Sequence, residues 1–129
     1  MKATRGPLNL VLAQSTATNY TSPAYDVSDI DVQAVQIDYT GSPSGTFAIQ
    51  GSINRVEDSQ GNVIVPGTFS TLYFSVNGSS PSASVAVPTN PSPIIFDMYG
   101  SGVQFIEVVY TGTGTGTFTA VVVGKRLGD

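Results

Sequence analysis

Three aspartates crowd the stretch DVSDID: Asp26, Asp29 and Asp31. Carboxylates this close on a loop are raw material for a calcium site, since that hard cation takes roughly six to eight oxygen ligands. The stretch does not follow the full EF-hand pattern, and no fourth carboxylate stands nearby. Aspartates at loop ends and strand starts also serve as turn formers. Turn formation is therefore the expected role, with calcium left open. Hydrolysis by a carboxylate pair would draw on Asp38, Asp97 and Glu107. All three fall on predicted strands, Asp97 on the face opposite Phe96, and no spacing brings two of them together. The chain has no histidine and no cysteine, which removes the commonest general bases and nucleophiles. Ser–Lys chemistry would need Lys2 or Lys125. The expectation is a protein that is not an enzyme, with no catalytic, cofactor-binding or metal-ligating residues and no cofactor.

Sugar binding is the stronger rival, because a tyrosine ring can stack on a pyranose. Tyr20, Tyr25, Tyr73 and Tyr99 are the candidates. Tryptophan is absent, and tyrosines beside strands commonly cover the rim of a core.

The glycines raise a different chemistry. YTGSPSGTF at 39–47 returns as YTGTGTGTF at 110–118. A phosphate-binding loop needs a helix after its glycines, with N-terminal amides aimed at the anion. Here threonine-rich strands follow, so the glycines are expected to turn the chain. The likeness extends backwards: VQAVQIDYTGSPSGTF (32–47) matches VQFIEVVYTGTGTGTF (103–118) at half of its positions. In both copies the apolar residues change parity once, from Val32 and Ala34 to Val35, Ile37 and Tyr39, and from Val103 and Phe105 to Ile106, Val108 and Tyr110. Such a change predicts a β-bulge. Each copy reads as a hairpin whose turn uses Gly41 and Gly45, or Gly112 and Gly116, at positive φ. Tyr39 with Phe47, and Tyr110 with Phe118, would be cross-strand neighbours. Two such hairpins suggest pseudo-twofold halves stacked face to face.

These elements belong to an all-β chain. Period-2 alternation predicts strands at 8–14, 32–40, 46–54, 63–65, 71–76, 83–87, 94–98, 103–111 and 117–125, with a short one at 24–27. Polar turns separate them at 58–62, 77–81 and 90–93. The fold class is an antiparallel, jelly-roll-like β-sandwich of about 8–10 strands. The 129 residues suit one such domain. Residues 26–129 would form it, while 1–25, rich in Thr, Ser and Asn, would extend as an arm and pair with a neighbouring subunit. The start imitates a secretory leader, but its apolar part at 8–13 is short and broken by Asn9, so it is expected to belong to the folded protein.

Charged residues make up 11% of the chain, well below the ~25% of ordinary domains. A surface of short neutral polar groups loses little hydration when another protein covers it. The net charge of −4 argues against a nucleic-acid partner, which needs a basic face. Lys2, Arg5, Lys125 and Arg126 lie near the ends and would form a small basic spot if the ends meet. No apolar run reaches the ~20 residues of a membrane span.

The segment from about Asp26 onward is similar to small Thr/Gly-rich β-sandwich virion proteins of tailed bacteriophages. The residues that carry the resemblance are VQIDYTGSPSGTFAIQGSIN (35–54), IIFDMYGSGVQFIEVVYTGTGTGTF (94–118) and VVVGKRLG (121–128). Many relatives follow the first motif with an aromatic-rich SNDG…W segment; here SINRVEDSQGNVIVPG (52–67) has no tryptophan, so no ligand role of that loop carries over. The resemblance implies a non-enzymatic structural component located in the virion, decorating or cementing the capsid. Its expected partners are other virion proteins, capsid or tail subunits, and further copies of itself as a homo-oligomer. The alternative is a carbohydrate- or receptor-binding module on the tail or a fibre, with a surface glycan as ligand.

Overall fold

Valine, isoleucine, threonine and aromatic residues at alternate positions favour a pleated, half-buried backbone, and glycine and proline break it every ten residues or so. The computed structural model of the protein describes residues 3–28, 32–78, 80–98 and 103–126, and among these there is no helix. Thirteen strands follow in order: β1 (Ala3–Ser15), β2 (Tyr20–Thr21), β3 (Tyr25–Asp26), β4 (Val32–Tyr39), β5 (Ser42–Ser52), β6 (Val56–Glu57) and β7 (Val63–Val65). After them come β8 (Ser70–Thr71), β9 (Ser75–Val76), β10 (Val85–Val87), β11 (Ile94–Asp97), β12 (Phe105–Thr115) and β13 (Thr117–Arg126).

Two antiparallel sheets share the core. The first runs β1-β13-β4-β11-β9 and the second β10-β5-β12-β2, with β3 also on β12 and β8 on β5. With β2 and β3 taken as one strand and the short β6 to β9 set aside, eight strands remain. Their order is first, eighth, third, sixth against second, seventh, fourth, fifth, which is the jelly-roll arrangement. The expected fold class therefore holds. Ile37, Val35, Ile94, Phe96, Ala120 and Val122 from the first sheet meet Phe47, Ile49, Ile106, Val108, Tyr110 and Val85 from the second, all buried. Among the described residues, the three buried polar side chains outside this core are hydrogen-bonded. Thr16 donates its N–H and hydroxyl to the Gly116 carbonyl, and Ser22 Oγ accepts from the Val108 N–H at 2.8 Å. Ser52 Oγ donates to Asn54 Oδ1 at 2.9 Å.

The duplicated segments are not hairpins. β4 and β5 lie in different sheets, as do β12 and β13. Each copy crosses from one sheet to the other, and the copies pair with one another. β5 runs antiparallel to β12 from Ser52↔Phe105 to Ser42↔Thr115, and β4 to β13 from Tyr39↔Phe118 to Val32↔Lys125. The Thr40 N–H donates to the Thr117 carbonyl at 2.9 Å across the corner. The two segments thus form one antiparallel ribbon that bends over the edge of the core. The halves are joined along their length rather than stacked face to face.

This pairing sets the glycines and aromatics. Gly45 faces Gly112 in the ladder, and the Cα of Gly41 lies close to Gly116. A Cβ built on Gly116 would run into the Thr40 carbonyl, and its φ of 113° is one that side chains resist. Gly41 and Gly112 also take positive φ, whereas Gly45, expected to, does not. Cross-strand partners are Tyr39 with Phe118 and Phe47 with Tyr110. The rings meet across the sandwich as well, at 4.9 Å for Phe47–Phe118 and 6.3 Å for Tyr39–Phe47.

The parity change has another cause than the bulge expected in both copies: β4 and β12 keep unbroken register against their partners. Phe105 lies on the outer side of its sheet, opposite in parity to the core-facing Ile106, and is buried because Arg55 covers its ring at 5.7 Å. Bulges occur instead in β1, whose register slips between Arg5 and Leu8, Asn9 and Val11, and Val11 and Gln14.

Residues 3–15 do not project as an arm. They form the edge strand β1, paired with β13 from Ala3↔Arg126 to Ser15↔Thr117, and β2 and β3 continue the chain onto β12. The physical reason is the sheet edge: without β1, β13 would leave a row of amides and carbonyls unpaired, and the first segment is long enough to satisfy them. The same register sets Arg5, Lys125 and Arg126 at neighbouring ladder positions.

Candidate contact surface

The loop between β5 and β8 builds a second, smaller structure. β6 and β7 pair as Val56↔Val65 and Glu57↔Val63, apart from both main sheets. Its tip is closed by Asp58, whose carboxylate accepts the N–H groups of Gln60 and Asn62, each at 2.8 Å, and the Asn62 side chain at 3.0 Å. Those donors, the Asn62 side chain foremost, hold the Asp58 carboxyl below its ordinary pKa. At the base, Asn54 Oδ1 accepts from the Thr68 N–H at 2.8 Å, and Gly67 packs so closely on the Arg55 backbone that no Cβ fits.

Arg55 anchors this hairpin. Its Nε donates to Glu57 Oε2 at 2.8 Å and its Nη1 to the Pro66 carbonyl at 3.2 Å, while the guanidinium covers Phe105. Between fixed tip and fixed base, the apolar residues point nowhere inward. Val56, Val63, Ile64 and Val65 are all exposed, Ile64 at 62%, and Ile53 beside them at 72%. Three consecutive exposed β-branched residues cannot be explained by alternation, which would bury every second one. A hairpin hydrogen-bonded at both ends and bare on both faces presents an exposed apolar patch, a candidate contact surface.

The sequence read 63–65 correctly as a strand but gave no reason to single it out. Its signal was present: a wholly apolar VIV run between the polar turn DSQGN and a Pro-Gly pair. Such a run normally marks a strand buried on both faces. Here it marks the opposite.

The other candidates scatter. Asp26 Oδ1 accepts the N–H of Ser28 at 2.9 Å and its hydroxyl at 2.6 Å, a turn-forming pattern; Asp29 and Asp31 lie outside the described residues. Among the described residues no group of three potential metal ligands occurs. Asp38 and Asp97 lie exposed on the outer side of the first sheet, and Asp97 faces Ala34, four residues from Asp38 along β4. That separation is roughly 13 Å along the strand. Glu107 belongs to the other sheet, so the three carboxylates form no pair. Of the tyrosines, Tyr20 and Tyr25 are half-buried against the core, Tyr73 is 72% exposed, and Tyr99 lies outside the described residues, as does Lys2. A shallow pocket of about 270 Å³ opens between β9 and β10, lined by Asn77, Ser82, Ser84 and Asn90 with Val76, Val85 and Ala86. Each of its two amides holds the fold through one atom: Asn77 Oδ1 accepts from the Ile95 N–H and Asn90 Nδ2 donates to the Ala86 carbonyl. Among the described residues no helix is long and apolar enough to cross a membrane.

Sheet order and core thus define an antiparallel jelly-roll β-sandwich carrying an exposed apolar hairpin. The chain is similar in structure to the SPBc2 prophage-derived protein YomS, known from a crystal structure, with a TM-score of 0.64 over 96% of each chain. The two share 13% sequence identity, and a likeness at that level shows the fold. No protein-family model and no curated protein matches the chain.

Proposed function

We propose that this protein is a non-enzymatic structural component of a bacteriophage particle, acting by surface burial in the virion and decorating or cementing the capsid. The observation that carries this reading is the rigid β6–β7 hairpin, which presents Ile53, Val56, Val63, Ile64 and Val65 to solvent. Exposed apolar clusters of this kind mark protein–protein contacts. The low charge of the surface supports it, since a neutral polar rim is cheap to desolvate. The prophage origin of the structural neighbour and the resemblance of the Thr/Gly segments to virion proteins give the setting.

The contact differs from strand donation by residues 1–25. β1 is already paired on one side, and its bulges, with Ala13 at a φ of 50°, interrupt the free edge that a further strand would need. The hairpin therefore inserts its apolar residues against a capsid subunit, and copies of the protein assemble as a closed homo-oligomer.

Antibody labelling of purified particles in the electron microscope tests the reading. Label over the head, with bare particles regaining resistance to heat and osmotic shock when the protein is added back, is the expected result. Label at the tail tip replaces cementing with receptor binding. Absence of the protein from purified particles overturns the proposal.

A further inference from the structure

The outer side of the second sheet carries a polar row that the contact hairpin does not use. Glu107 on β12 stands opposite Gln50 on β5, and Gln50 opposite Thr71 on β8. Residues opposed in an antiparallel ladder share a face, and here it is the outer one, because the neighbouring Val108, Ile49 and Leu72 turn to the core. With strands ~4.8 Å apart, the row spans roughly 10 Å, enough for one or two sugar rings.

Tyr73 borders this row. The Leu72 N–H donates to the Ile49 carbonyl at 3.0 Å, which carries the β8 register one residue further. Thr71 and Tyr73 are exposed while Leu72 is half-buried, so the tyrosine ring stands on the same side as Thr71, toward Ala48. On the far side the Arg55 segment rises as a wall over Phe105.

The chemistry of this shelf is selective. The Glu107 carboxylate is half-buried and makes no hydrogen bond to the protein among the described residues. Gln50 spends one amide proton on a long 3.4 Å contact with Thr71, leaving its carbonyl and a second N–H free. The carboxylate repels anions. Arg55, close enough to lower the pKa of Glu107, repels cations, and its Nε and Nη1 donate to Glu57 and Pro66. What remains suited is an uncharged polyol with one apolar face: hydroxyls for Glu107, Gln50 and Thr71, and ring C–H groups for Tyr73.

We propose that the outer face of the second sheet, bounded by Tyr73 and the Glu107–Gln50–Thr71 row, binds an uncharged glycan. The proposal is independent of the particle role, because it concerns the isolated protein. The test is a titration of the full ¹⁵N-labelled chain, followed by NMR, with neutral mono- and disaccharides of glucose, galactose, mannose, rhamnose and N-acetylglucosamine. At least one sugar should shift the amides of Gln50, Thr71, Tyr73 and Glu107 together. Tyr73→Ala and Glu107→Gln should each weaken that binding about tenfold or more. Both variants alter the surface, and an unchanged spectrum elsewhere checks their fold. Absence of shifts with every sugar overturns the proposal. So do shifts confined to the Asn77–Asn90 pocket, or binding that survives both substitutions.

Discussion

At Glu107, burial and charge pull in opposite directions. Partial burial raises its carboxyl pKa above the ordinary 4.5, and the attraction of Arg55 offsets only part of this. An acid whose folded pKa is raised adds stability below its unfolded value and loses that contribution as pH rises through the folded one. Glu107→Gln removes this titration. The variant should therefore melt above the parent at neutral pH, with the gap closing as pH falls through the raised folded pKa and gone below 4.5, as scanning calorimetry across pH would record. A variant that gains stability while losing sugar binding would separate a binding role from a structural one. Arg55 differs: its hydrogen bonds and its ring contact serve the hairpin and Phe105, and it reaches Glu107 through its charge alone.

Among the elements, the bent ribbon and the apolar hairpin make opposite demands. The ribbon needs backbones in close approach at its corner. Gly116→Ala places a Cβ against the Thr40 carbonyl at a φ of 113°, and should cost more than about 1 kcal/mol of unfolding free energy in denaturant titration. The hairpin asks nothing of the core. Ile64→Asp, at a side chain 62% exposed, should change stability by no more than about 0.5 kcal/mol while abolishing attachment to particles in a co-sedimentation assay.

These two elements also mark what the sequence could reveal. Alternation exposed the strands of the core, because a period of two is a local property: Ile94, Phe96 and Met98 are buried as their spacing predicts, with Asp97 outside. The Thr/Gly repeat was visible, and Gly41 and Gly116 do sit where the chain turns between sheets, but Gly45 and Gly112 face each other within a ladder and the repeat's partner was not visible. A hairpin and a sheet-crossing corner use the same residue types; which one forms depends on Phe47 meeting Tyr110 across the chain, a non-local choice. Phe105 misled the parity reading because a loop fifty residues earlier in the chain covers it. The Glu107–Gln50–Thr71 row was likewise invisible, since its members come from three strands.

For the whole molecule, the decisive fact is that the first strand closes on the last. Pairings between β1 and β13 join residues from opposite ends of the sequence, so the ladder forms only once most of the chain is in place. Removing residues 3–15 would strip β13 of that partner and uncover the site of Val11, which is buried. The truncated protein should aggregate, visible as rising light scattering at concentrations where the intact chain stays in solution. The bulges in β1 break the regular edge that a further strand would need, so the intact protein should stay dispersed in the same assay.

The ladder contact of Ala3 with Arg126 has one more consequence. It puts two ends of the described chain side by side, so a short peptide can bridge them and the chain can be reopened elsewhere. The tip at Gln60 and Gly61, which contributes nothing to the core, is the natural place to cut. A circular permutant with its new ends there would keep the jelly roll and split the apolar hairpin, dividing scaffold from adhesive in one rearrangement.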